Sequence, residues 1–137
     1  MRIMAIDYGD AHTGIAISDP TGFLAGFTTT INAYRPETVA EQIAHLAAQH
    51  GAEELVLGHP KNMDGTRGPR AEKAEAMADM LRQVTGLPVV LWDERRTTID
   101  AHQILFNSGK NAKKRKKTVD AVAASLILEG YLTYKKS

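Results

Sequence analysis

Cysteine is absent from the 137 residues of this chain, and aromatic residues make up only 6% of it. Without cysteine there can be no disulfide framework, no thiolate zinc site and no thiol nucleophile. No apolar run approaches the roughly 20 residues that a membrane-spanning helix needs. The short apolar stretch at the N-terminus ends at Asp7, which is too early for a signal peptide. We therefore expect a cytoplasmic protein with no membrane partner.

The composition is otherwise that of an ordinary globular protein, with 43% hydrophobic and 24% charged residues. Such a composition excludes a disordered, collagenous or repeat-built chain. The length suits one domain, and it is sufficient to bury a core without disulfides or structural metals. We expect residues 1–137 to form a single domain.

Charge is distributed unevenly along the chain. The net charge is only +1, but residues 110–137 carry +6 and the first 109 residues carry −5. A basic segment of this kind indicates a localised surface for an anionic partner such as nucleic acid.

Hydrophobic periodicity predicts five strands and four helices in the order β-β-β-α-β-α-β-α-α. The predicted strands are 2–8, 13–19, 23–31, 54–58 and 87–92, and the predicted helices are 36–50, 68–85, 97–107 and 118–131. The first three strands form an antiparallel meander, and the later β-α-β steps require parallel crossovers. The expected fold is therefore α/β, with a mixed five-stranded sheet and helices on both faces. Residues 59–67 and 108–117 are expected to be surface loops.

Three acidic residues occupy unusual positions in this pattern. Asp7 and Glu94 follow apolar strands, and Asp120 lies on the apolar face of the last predicted helix, near its start. Each has a structural explanation: Asp7 can open a turn, Asp120 suits the positive end of a helix dipole, and Glu94 can pair with Arg95 on the surface. The three positions can also converge at one edge of the sheet, where α/β proteins bind ligands.

Convergence of three carboxylates would favour a bound divalent cation, because like charges repel and are costly to bury unpaired. Hard oxygen ligands without cysteine suit Mg²⁺ or Mn²⁺. A pair of such ions roughly 3.5–4 Å apart can activate water and stabilise the leaving oxygen in phosphodiester cleavage. Asp7, Glu94 and Asp120 are thus the candidate catalytic and metal-binding residues.

The order and spacing of several short segments resemble the YqgF/RuvX family of the RNase H-like superfamily. These segments are Asp7-Tyr8-Gly9 with 14–19, the run 58–66, Asp93-Glu94-Arg95, and Val119-Asp120 with Ala123-Ala124. The resemblance implies an RNase H-like fold, a nuclease, and the acidic triad Asp7, Glu94 and Asp120. Members of the family are described as Holliday junction resolvases and pre-16S rRNA nucleases. His12, His59 and Arg96 depart from the usual family residues, but no carboxylate is lost.

Basic residues near these segments are candidate contacts for phosphate. Arg67 and Arg70 lie at the start of the second predicted helix, and Arg95 follows Glu94. Six of the eight residues from 110 to 117 are basic, and phosphate contacts supply most non-specific affinity for nucleic acid. This run is also compatible with a merely solvated loop. Its basic residues are Lys110, Lys113, Lys114, Arg115, Lys116 and Lys117.

The sequence leaves several functions open. The first is a metal-dependent nuclease for structured RNA, which by resemblance would act in 5′-end maturation of pre-16S rRNA, on ribosomal precursor particles. The others are an endonuclease for branched DNA such as a Holliday junction, and an RNA-binding assembly factor without catalysis. A nucleotide-binding ATPase of the actin and sugar-kinase type would need two such lobes, whereas this chain is long enough for one. The oligomeric state is not fixed by the sequence.

Overall fold

A computed structural model describes residues 2–19, 25–60, 68–93 and 112–136 of the chain, with the backbone alone at 25, 112–121 and 136. The strands are β1 (Ile3–Asp7), β2 (His12–Ser18), β3 (Ala25–Asn32), β4 (Glu54–His59) and β5 (Val89–Asp93). The helices are α1 (Pro36–His50), α2 (Pro69–Thr85) and α3 (Ala112–Lys136). The predicted helix at 97–107 lies outside the described residues.

The five strands form one mixed sheet in the order β3-β2-β1-β4-β5. The first three pair antiparallel, with Asp7 of β1 opposite Gly14 of β2. The strands β1, β4 and β5 run parallel, with Ile6 beside Leu57. The predicted antiparallel meander and parallel crossovers are both confirmed.

Alternate residues of β1 divide between two hydrophobic cores, one on each face of the sheet. Met4 and Ile6 pack with α1 and α2, whereas Ile3 and Ala5 pack with α3. All four are nearly inaccessible to solvent. Because successive side chains of a strand point to opposite faces, this division confirms the prediction of helices on both faces.

The predicted ends of α1 and the predicted last residue of α2 are confirmed, whereas α2 begins at Pro69, one residue after its predicted start. Pro36 and Pro69 stand at the first positions of α1 and α2, where the missing N–H of proline costs no helical hydrogen bond. Gly51 and Gly86 follow the last residues with φ of 69° and 68°, a left-handed conformation that glycine adopts without the clash of a Cβ atom.

The expectation of a loop over 108–117 is wrong for its second half. The helix α3 begins at Ala112, six residues before the predicted start at Thr118, so Lys113 to Lys117 lie on a helix. Lysine, arginine and alanine are strong helix formers, and no glycine or proline interrupts the stretch. The concentration of like charge suggested a loop, but helix propensity decides the local structure.

The predicted loop over 59–67 needs a smaller correction, because His59 is the last residue of β4. Residues 61–67 of this predicted loop lie outside the described residues.

Among the residues that the structure describes, no helix is long and apolar enough to cross a membrane.

Candidate active site

The carboxyl ends of the three parallel strands lie together at one side of the sheet, which we call the carboxyl edge. It consists of Asp7 at the end of β1, His59 at the end of β4 and Asp93 at the end of β5. His59 and Asp93 are partners in the parallel register. Asp7 and the end of the strand that leads to Glu94 are thus brought to the same edge.

Asp7 lies on the face of the sheet that α3 covers, because it continues the alternation of Ile3 and Ala5. It is partly buried. Its partner on β2 is Gly14, and on β4 the residue after Leu57 is Gly58. Glycine has no side chain, so neither neighbouring strand crowds the Asp7 carboxylate on this face.

The far end of α3 is fixed at the opposite edge of the sheet. The Tyr131 hydroxyl donates a hydrogen bond of 2.8 Å to Glu54 Oε1, and Glu54 is in register with Ile3 at the start of β1. From Tyr131 back to Asp120 the helix spans about 16 Å, and β1 spans about 13 Å from Ile3 to Asp7. The helix is therefore long enough to carry residue 120 to the level of Asp7.

The backbone of Asp120 belongs to α3, as predicted. It stands four residues before Ala124 and seven before Ile127, which are fully buried against the sheet. At this helical spacing, position 120 shares the face of α3 that packs on the sheet.

The strand that leads to Glu94 is held by α3. The ring of Trp92 contacts the ring of Tyr131 edge-on, with centroids 5.9 Å apart. A Cβ atom added at Gly130 would lie 3.3 Å from the Trp92 ring, so the indole packs closely against the helix. Glu94 itself lies outside the described residues, as do Arg67, Arg95 and Lys110.

Arg70 is the second residue of α2 and is exposed. The helix α2 follows β4 along the chain, so its first turn lies on the side of the molecule where the carboxyl edge is. Of the candidate phosphate contacts, Arg70 is the one whose side chain the structure describes.

The sequence did not predict the contact between His59 and Glu75. His59 Nε2 lies 2.7 Å from Glu75 Oε2, and the histidine is 9% exposed. This pair joins the end of β4 to α2 on the face opposite to Asp7. Alternation with Leu55 and Leu57 could have predicted that His59 faces α2, but the partner on the helix depends on tertiary packing.

Among the side chains that the structure describes, no group of three or more histidine, aspartate or glutamate residues could hold a metal ion. Of the predicted triad, only Asp7 has a described side chain. A carboxylate such as that of Asp7 is the type of oxygen ligand that Mg²⁺ and Mn²⁺ prefer.

Solved structures of other proteins share this fold. "T. thermophilus RuvC in complex with Holliday junction substrate" aligns with a TM-score of 0.66 at 11% identity, covering 100% of this chain and 98% of that chain. This likeness confirms the expected RNase H-like fold. A ROK hexokinase from Thermus thermophilus aligns less well, with a TM-score of 0.51 at 20% identity, covering 75% of this chain and 38% of that chain.

The sequence comparison is more specific. A family model described as "RuvX: Holliday junction resolvase" matches residues 1–134. A protein of Halothermothrix orenii named "Putative pre-16S rRNA nuclease" is 46% identical over 135 residues, which cover 98% of this chain and 96% of the relative. The chain therefore belongs to the RuvX family, as the resemblance of its motifs predicted.

Proposed function

We propose that this protein is a metal-dependent nuclease that hydrolyses phosphodiester bonds in structured RNA, in 5′-end maturation of pre-16S rRNA. The observation that carries the proposal is the position of Asp7 at the carboxyl edge, under α3 and between two glycines. The name of the Halothermothrix orenii relative supports an RNA substrate. We place the reaction in the cytoplasm, on ribosomal precursor particles, and assign it to one domain, 1–137.

In this proposal, Asp7, Glu94 and Asp120 are the catalytic residues and hold Mg²⁺ or Mn²⁺. Trp92 lies on the face of β5 under α3. Glu94 is two positions further along the chain, and the alternation of side chains in a strand would bring it to the same face. On α3, position 120 precedes Ala124 by four residues, and this helical spacing would bring Asp120 to the same face. A pair of bound ions would supply an activated water and charge stabilisation at the leaving oxygen.

The remaining residues of the proposed site bind and orient the nucleic acid. Backbone phosphates carry most of the affinity of such contacts, and they set the position of the strand without reading its sequence. We assign this role to Arg67, Arg70, Arg95, Lys110, Lys113, Lys114, Arg115, Lys116 and Lys117.

The helical conformation of 113–117 changes what the basic run can do. Five consecutive residues of a helix go once around its axis, so they cannot all contact one strand of nucleic acid. Positions 116 and 117 precede Asp120 by four and three residues and share its face, whereas 114 and 115 lie on other sides of the helix. We therefore expect Lys116 and Lys117 to contribute more than Lys114 and Arg115.

Replacing Lys116 and Lys117 by glutamine should weaken RNA binding and flatten its salt dependence. Two lost phosphate contacts reduce the slope of log affinity against log salt by about 1.4 on single strands. The matched control replaces Lys114 and Arg115 by glutamine, which removes the same charge and should change the slope by less than half as much. If log affinity falls with log salt at the same slope in both variants, the phosphates do not bind one face of α3. Arg67 and Arg70 would then be the candidate phosphate contacts.

Millimolar Mg²⁺ or Mn²⁺ should raise the Tm of the wild-type protein by about 5 °C, because a ligand that binds only the folded state stabilises it. The shift, measured by thermal denaturation with and without metal, should shrink in Asp7→Asn. Asp79→Asn serves as the control, since Asp79 is 71% exposed on α2 and pairs with Arg82. An equal shift in all three proteins would place the ion elsewhere.

Cleavage of end-labelled substrates with Mg²⁺ or Mn²⁺ tests the function itself. We expect cuts in a precursor 16S rRNA fragment, with the four-way DNA junction cut more slowly or not at all. The alternative, a resolvase for branched DNA, is favoured by the family description and predicts the reverse order. Binding without cleavage of either substrate by a metal-loaded protein would support the non-catalytic assembly factor.

A further inference from the structure

A cleft of about 260 Å³ opens beside the carboxyl edge, on the face of the sheet opposite to Asp7. It lies between the segment after β1, the start of α1 and the middle of α2. The side chains that give it its chemistry are Tyr8, Asp10, Tyr34, Glu37, Lys73 and Met80.

The floor and one wall of the cleft are apolar and aromatic. Tyr8 packs against the α1–α2 core with part of its ring accessible, and Met80 packs beside it. Tyr34 lies just before α1, and 82% of it is exposed. An exposed tyrosine beside an apolar cleft is suited to stacking on a planar ring, and aromatic stacking is the usual way in which proteins hold unpaired bases.

The rim of the cleft carries two carboxylates, and each has a basic side chain beside it. Lys73 Nζ lies 3.1 Å from Asp10 Oδ1, and Arg35 Nε lies 3.9 Å from Glu37 Oε2. A carboxylate accepts hydrogen bonds from the amino groups of bases. Burial raises the pKa of the Tyr8 hydroxyl, with Lys73, Asp10 and Glu37 among the charges that act on it.

We propose that this cleft receives one unpaired base of the RNA substrate, and that it prefers a base with an exocyclic amino group over uracil. Tyr8 follows Asp7 directly, so the cleft lies at the same end of β1 as the proposed catalytic site, on the other face of the sheet. Tyr34 stacks on the base, and a rim carboxylate, Asp10 or Glu37, accepts hydrogen bonds from its amino group. This inference rests on the proposed action on structured RNA.

The test uses an RNA hairpin with a single bulged 2-aminopurine, a fluorescent base that carries an exocyclic amino group, in EDTA so that no cleavage occurs. Binding should quench its fluorescence by stacking. Tyr34→Ala should weaken binding about tenfold and abolish the quenching, while Tyr34→Phe should retain both. Tyr134→Ala is the matched control, because Tyr134 is a tyrosine 63% exposed near the end of α3.

The same hairpin with each natural base in the bulge tests the preference. We expect uridine to bind most weakly, and Glu37→Gln to reduce the difference. If the wild type binds the hairpin but Tyr34→Ala binds equally well, or the fluorescence is not quenched, the cleft is not a base site and the proposed function stands. If the wild type binds no RNA at all, the proposed function fails and this inference fails with it.

Discussion

Replacing Asp7 by asparagine should reduce metal-dependent cleavage by at least about 1,000-fold, which corresponds to about 4 kcal/mol of lost transition-state stabilisation. The substitution keeps the size of the side chain but removes one of the negative charges that we expect to bind the ions. Because Asp7 is partly buried at the end of β1, and proposed neighbouring carboxylates would repel it, the metal-free variant should be as stable as the wild type or slightly more stable.

Initial rates with saturating Mg²⁺ measure this effect, and the Tm in EDTA reports on the fold. Glu94→Gln and Asp120→Asn should behave like Asp7→Asn, whereas Asp79→Asn should retain full activity. Full activity in Asp120→Asn would show that the triad is wrongly assigned. Asp93 or Asp100 would then become the candidate for the third position.

Gly9→Ala should destabilise the protein by about 3 kcal/mol and lower its Tm by about 10 °C. A Cβ atom added at Gly9 would lie 2.3 Å from the backbone oxygen of His12, a distance that the backbone cannot accommodate without moving. Gly9 is two residues from Asp7, so this movement should also lower the cleavage rate.

Gly51→Ala is the control for the added Cβ atom. Gly51 has a φ of 69° but nothing within 4 Å of the new atom, so the cost should be about 1 kcal/mol of backbone strain. Thermal denaturation of the two variants separates crowding from strain. A Gly9→Ala protein as stable as Gly51→Ala would show that the backbone between β1 and β2 moves at little cost and that crowding at Gly9 is not destabilising.

Much of the fold could be predicted because local pattern and packing agree. Pro36 and Gly51 mark the ends of α1 in the sequence and in the structure. The alternation within β1 predicts a strand, and the two hydrophobic cores explain why a helix packs on each face. The start of α3 was predicted wrongly because charge patterning indicates exposure to solvent, and an exposed segment can be either a loop or a helix.

The candidate site was less predictable. Strand ends place Asp7 at the carboxyl edge, and helical spacing places Asp120 on the packed face of α3. The pairing of His59 with Glu75 and the cleft beside Tyr34 both depend on how α1 and α2 pack against the sheet. No short-range pattern in the sequence encodes these contacts.

The sugar-kinase alternative shares part of the core fold. The chain spans 38% of the ROK hexokinase that it resembles in fold. Thermal denaturation with nucleoside triphosphates separates the nuclease from the nucleotide-binding ATPase. For the nuclease we expect that a nucleoside triphosphate without metal does not raise the Tm of the protein.

The most direct test of the central claim is anomalous diffraction from a crystal grown with Mn²⁺. We expect a manganese peak within about 2.0–2.3 Å of a carboxylate oxygen of Asp7, at the distance of hard-cation coordination. Carboxylates of Glu94 and Asp120 should lie around the same ion or its partner. A manganese peak away from the carboxyl edge, or an Asp7 carboxylate that contacts only protein groups at saturating Mn²⁺, would contradict the account.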